Sequence, residues 1–166
     1  MQTEEYLQEL IGPYMLGVLI SLAIGLILGL EREYDKIKDD SSGFAGIRTF
    51  PIVTILGFLI GNLSETFSSW FLILGFSSFI LFLSIGQVFK SRVESTLGIT
   101  TNLALITTFV LGIMVSEELY RDSVATAVIV VTLLSLKTTF RSIIKNITHE
   151  ELFAFIKFVI IVWDNK

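Results

Sequence analysis

The chain has no cysteine, one histidine (His149), two prolines and only 17% charged residues in 166 positions. The missing cysteines exclude disulfides, thiolate metal sites and cysteine nucleophiles. A lone histidine leaves no His-rich zinc site and no Ser–His pair. His149 reads as a helix-start residue at a membrane surface. Soluble domains carry about 25% charged residues, so the chain falls short of that class. Its net charge of −4 gives no basic surface for nucleic acid. The N-terminus, Met1-Gln2-Thr3-Glu4-Glu5, lacks the basic region of a secretory signal, so the first apolar run reads as a retained span. No carboxylate falls deep inside an apolar run, so the usual mark of a proton relay or cation pump is missing. No nucleophile–base pair or metal-ligand set is visible, which predicts that the chain is not an enzyme.

What is present is apolar length. The hydrophobic fraction is 52% and mean hydropathy is +0.76, and the charges gather between long runs. About 20 apolar residues cross a bilayer as a helix, and only helices or closed barrels satisfy the backbone there. Five spans are expected, at 12–30, 49–63, 68–88, 100–115 and 124–136. Trp70 stands where an interfacial anchor belongs. Thr148 and Glu151 have capping-box spacing, and the dozen apolar residues after them are too few to cross. They read as an interfacial helix or as the start of a truncated sixth span. The expected fold is an all-α polytopic membrane protein, with a transmembrane domain over 1–147 and that segment over 148–166.

Gly17, Ser21, Gly25 and Gly29 recur every fourth residue and share one helix face. Gly57 and Gly61 repeat the spacing. Small residues in this pattern bring helices together backbone to backbone. Helix packing is the first reading of these six positions and a substrate path the second; the first face has more small positions than one neighbouring helix needs, so self-association is also expected. Lys and Arg set orientation. Arg32, Lys36, Lys38 and Arg48 follow span one, Lys90 and Arg92 follow span three, and Lys137, Arg141 and Lys145 follow span five. The loop after span two has none, and the loop after span four has only Arg121. The N-terminus is therefore expected outside, with the odd loops and the C-terminal segment on the cytoplasmic side.

In this topology polar residues meet at one depth. Glu31, Arg32 and Glu33 close span one. Arg48 and Thr49 open span two, Thr100, Thr101 and Asn102 open span four, and Ser135, Lys137, Thr138 and Thr139 close span five. Glu31, Arg32, Arg48, Thr49, Thr101 and Asn102 are the candidate ligand site. The run is expected to end at Glu31-Arg32-Glu33 and give way to a short polar loop. A cation at Arg48 opposes the dipole of the helix it starts, so Glu31 is expected to pair with it across the hairpin. The plainer reading is that these are topology signals and solvated charges.

Gly29-Leu30-Glu31-Arg32, then Ala45-Gly46-Ile47-Arg48-Thr49, resembles the signature of the MgtC/SapB family of prokaryotic inner-membrane proteins. The family has Gly-Leu-Glu-Arg closing its first helix and Ala-Gly-Leu-Arg-Thr opening its second; Ile47 stands for the leucine. Leu97 to Asn102 and Thr108 to Gly112 look like a longer subgroup that carries a second membrane domain of unknown function. Members of that subgroup often have an acidic residue where this chain has Asn102. The resemblance implies an inner-membrane location and a transport component for magnesium or another small ion or solute. No cofactor is implied, and magnesium is the ligand it suggests. The alternative is a non-transporting regulator that binds another integral membrane protein. Expected partners are the lipid bilayer, a second copy of the chain and a second membrane domain or subunit, with no nucleic acid. Orientation is directly checkable because the chain has no background thiol. A cysteine at Ser68 should react with an impermeant maleimide from outside intact cells, and one at Lys38 only after the membrane is opened. The reverse pattern would invert the topology.

Overall fold

The computed structural model describes residues 12–39, 45–91 and 99–146, together with Phe153 and Lys157. Among them are five helices and no strand. They are α1 (Pro13–Asp39), α2 (Thr49–Thr66), α3 (Trp70–Ser91), α4 (Ile99–Ser116) and α5 (Tyr120–Asn146). The chain forms two compact units, Met1–Thr132 and Leu133–Lys166. The packing below belongs to the first, and the described part of the second is mainly the end of α5. The expected helix after Thr148 lies outside the described residues, except that Phe153 and Lys157 are helical and exposed.

Four helices, α1 to α4, are long and apolar enough to cross a membrane. α5 is 27 residues long but is not among those four. α1 is also longer than the sequence suggests. It does not give way at Glu31 but runs on to Asp39. Glu, Arg and Lys are good helix formers. Two pairs at i,i+3 spacing, Arg32–Asp35 and Glu33–Lys36, tie the extra turns together. Pro13 sits in the first turn, where its missing N–H leaves no helical bond unmade.

α2 lies at the centre. Gly17 of α1 meets the Phe58 ring, Gly25 meets Pro51 and Thr54, and Gly29 meets Ile47. The pairing runs in opposite senses along the two helices, so α1 and α2 are antiparallel. A methyl group at Gly25 would overlap the Pro51 Cα and stand 2.6 Å from Thr54 Oγ1. On an adjoining face, Gly57 lies against the Phe109 carbonyl, Gly61 against Ser116, and Gly112 against the Thr54 carbonyl. From Gly57–Phe109 to Gly61–Ser116 the numbers rise in both helices, so α2 and α4 run parallel. Ser21 is fully buried in the α1 ladder, and Leu28, Phe50, Leu105 and Phe109 fill the space around these contacts.

α3 is peripheral. Phe79 stacks on Phe109 with ring centroids 4.7 Å apart, and Phe76 lies 5.8 Å away from the same ring. Most of its other large side chains, including Phe71, Leu74, Leu81 and Phe82, are exposed, as suits a helix whose solvent is lipid. The start of α5 is fixed by a polar contact. Ser123 is fully buried, and its hydroxyl donates to the Leu111 carbonyl at 3.0 Å.

The buried hydroxyls on α2 and α4 are met within their own helices. Thr54 Oγ1 donates to the Phe50 carbonyl and Thr108 Oγ1 to the Ala104 carbonyl. Both can therefore sit in an apolar interior without a partner from another helix.

Gly25→Ala and Gly57→Ala should each destabilise the protein by about 1–3 kcal/mol through overpacking against backbone that has nowhere to go. Gly86→Ala, where a Cβ meets nothing within 4 Å, should be neutral or slightly stabilising. Thermal unfolding in detergent separates the two outcomes.

Candidate functional site

The strongest concentration of buried charge is at the end of α1. The Arg32 side chain is 5% exposed, between Glu31 at 9% and Asp35 at 12%. Its Nη2 donates to Glu31 Oε1 at 2.8 Å, its Nε donates to Glu31 Oε2, and its Nη2 lies 3.3 Å from Asp35 Oδ2. Adjacent helical residues do not normally face one another. Glu31 and Arg32 meet because both side chains are long and the planar guanidinium offers two parallel donors to one carboxylate. The trio carries one positive and two negative formal charges in a site largely closed to water.

This arrangement replaces the expected Glu31–Arg48 pair. The Glu31 carboxylate is taken by Arg32, while Arg48 is exposed and forms no ion pair with a described residue. The carboxylate that reaches the turn before α2 is instead that of Glu33. Its Oε2 lies where a Cβ on Gly46 would be, and it also receives Lys36 Nζ at 3.5 Å. A negative charge there complements the helix dipole. Glycine at position 46 leaves the room it needs. The Gly46 carbonyl then accepts the N–H groups of Thr49 (2.9 Å) and Phe50 (3.3 Å), and Pro51 has no N–H to satisfy. Ala45 is fully buried and Ile47 crosses Gly29. Gly46 and Ile47 of the Ala-Gly-Ile-Arg-Thr stretch are thus set by their contacts with α1.

A second polar contact joins α3 and α4. Asn102 Nδ2 donates to Gln87 Oε1 at 2.7 Å. Gln87 Nε2 is buried without a hydrogen-bond partner, and so is Ser21 Oγ. Thr49, Thr101 and Asn102 are half-buried at their helix starts. No hydrogen bond or ion pair among the described residues links this contact to the Arg32 cluster. The six candidate residues thus fall into a charged group on α1 (Glu31, Arg32), an exposed turn (Arg48, Thr49) and an amide pair centred on Asn102. Ser135 belongs to the second unit and is exposed, and the side chains of Lys137, Thr138 and Thr139 lie outside the described residues.

Sequence reasoning passed over three participants. Asp35 was legible as the i+3 neighbour of Arg32. Gly46 stands out in the sequence only as part of a motif, and its role needs the position of Glu33. Gln87 pairs across fifteen residues, and nothing local marks it. A concavity of about 200 Å³ also forms at the other end of α4, lined by residues 118 to 122. There Glu118 has a positive φ of 60°. The Tyr120 phenol is pushed above its usual range, first by burial and then by the Glu118 carboxylate. Among the described residues no group of three or more His, Cys, Asp or Glu side chains is arranged to hold a metal ion.

A sequence model of the MgtC family matches residues 18–143, most of the chain and both halves of the α1–α2 hairpin. The chain belongs to the MgtC family. Comparison with curated proteins and with solved structures finds no match. The matched stretch includes the Arg32 cluster, the Gly46 turn and the Gln87–Asn102 contact.

Breaking the cluster has a directional consequence. Arg32→Gln leaves two carboxylates without their cation and should destabilise by about 3–5 kcal/mol, as for other broken buried pairs. Arg48→Gln should change stability by no more than about 0.5 kcal/mol, as at exposed positions. In double-mutant cycles Glu31 should couple to Arg32 and not to Arg48, read by chemical unfolding in detergent micelles.

Proposed function

We propose that this MgtC-family membrane protein acts by binding another integral membrane protein, and that it is not by itself a conduit. The observation that supports this most directly is the α1–α2–α4 interior. Backbone meets backbone at Gly25, Gly57 and Gly112, and Arg32, the one strongly buried cation among the described residues, is already paired with carboxylates of its own helix. A path for a hydrated ion needs polar, open space along such a seam, and these contacts fill it. The proposal includes no catalytic step.

The family resemblance suggests a second reading, a transport component for magnesium or another small solute. The buried Glu31–Arg32–Asp35 group and the Asn102–Gln87 contact favour it, because ionisable and amide groups at membrane depth commonly mark ligand paths. In that reading the pathway lies between this chain and a second copy or subunit, as transporter sites often lie between repeats.

Both readings share one topology. α1 to α4 alternate in direction, as the α1–α2, α2–α4 and α3–α4 pairings require. With the basic residues of the α1–α2 loop facing the cytoplasm of a prokaryote, the N-terminus lies outside. We take α5 as a fifth crossing on the strength of its apolar stretch over 124–136. Self-association also remains a proposal, with one constraint from the fold. The Gly17/Ser21/Gly25/Gly29 face is occupied by α2, so a copy must dock on another surface.

Magnesium and proton flux into proteoliposomes holding the full chain tests the choice. The binding reading expects flux no greater than in empty vesicles. Flux that is present and then lost in Glu31→Gln would overturn it and establish transport through the first hairpin.

A further inference from the structure

The last turns of α1 have two opposed faces. Arg32 and Asp35 point into the protein, whereas Leu30, Tyr34 and Ile37 are 54%, 69% and 75% exposed. These three follow helical i, i+4, i+7 spacing. They continue, without a break, the exposed apolar line of Leu19, Leu26 and Ile27 on the spanning part of the same helix. The charges of Glu31 to Lys36 therefore do not mark where this face leaves the membrane. They mark only where the opposite face becomes polar.

Helix length agrees. α1 has 27 residues, about 40 Å at 1.5 Å per residue. That exceeds the roughly 30 Å hydrocarbon core and approaches the roughly 40–45 Å of a bilayer with its headgroup layers. α2, which starts opposite Gly29, has only 18 residues. The end of α1 thus extends past the start of its neighbour and has lipid as the natural cover for its apolar side. An aromatic residue at this level is typical of a membrane interface.

We propose that the Leu30–Tyr34–Ile37 face is a phospholipid-binding surface seated in the headgroup layer, so that lipid closes the outer side of the Arg32 cluster. Lys38 and Arg48, both exposed at the same end, supply cations for lipid phosphate. The apolar stripe carries the seating, since Asp39 and Asp40 follow directly and the segment as a whole is not basic. The inference rests on the membrane reading of α1 and is independent of whether the protein transports anything.

The test uses the full chain, which has no cysteine of its own, in vesicles of phosphatidylethanolamine and phosphatidylglycerol. Nitroxides are placed singly through Tyr34→Cys and Ile37→Cys, with Leu26→Cys as the lipid-facing reference. Collisions with oxygen should exceed those with an aqueous nickel chelate at both sites, as at the reference. Predominance of the chelate would put the face in water and overturn the proposal. Protection from both reagents would mean a protein partner or second copy covers it, and would equally overturn it. If either variant fails to reconstitute, Tyr34→Trp combined with Trp70→Phe and Trp163→Phe supplies a second reading. Phospholipids brominated near the headgroup should quench the introduced indole more than acrylamide does, and the opposite order would sink the idea.

Discussion

The close approach of α1, α2 and α4 at glycine is the constraint on which the rest of the structure depends. α2 has a neighbour on each of two faces, and on both the contact is with main chain: Pro51 against Gly25 on one side, Gly57 against Phe109 on the other. In lipid the hydrophobic effect gives helices no reason to prefer one another over acyl chains, so close packing must supply the preference. Distances this short leave each helix little freedom to slide or rotate. Direction, register and the positions of the helix ends follow from it.

The charged cluster is one consequence. With Ile47 held across Gly29, the turn before α2 is pressed against the last turns of α1. Gly46 makes room for Glu33 there, and Ala45 and Arg32 are both buried. An enclosed guanidinium needs carboxylates, and the nearest lie on its own helix one and three residues away. The hairpin tip is then electrostatically self-contained on its inner side. Arg48, which projects outward, is left as a free cation among the described residues. Arg48, Lys38 and the apolar stripe are therefore exposed at this end, whereas Arg32 is buried.

The outer helices follow a different logic. α3 is joined by the Phe79 and Phe76 rings on Phe109, by Gly75 against the Ile60 side chain of α2 and by an amide contact, and it presents most of its bulk outward. The start of α5 is held by a serine donating to a backbone carbonyl of α4.

The residues alone determined a good deal. Long apolar runs separated by clustered charge point to membrane helices, because a bilayer admits only helices or closed barrels and barrel strands are short and alternate in polarity. Small residues at four-residue spacing declare a close-contact face through helical geometry, and Gly-Leu-Glu-Arg with Ala-Gly-Ile-Arg-Thr carried the resemblance to the family. Tertiary structure decided which partner that face takes, since any closely fitting helix satisfies the pattern and only register selects α2. It also decided that Glu31 turns to Arg32 and not to Arg48, that Glu33 fills the place beside Gly46, and that Gln87 meets Asn102. Charge choices between neighbours differ by the few ångströms and the degree of burial that packing fixes, and a linear order of residues contains neither.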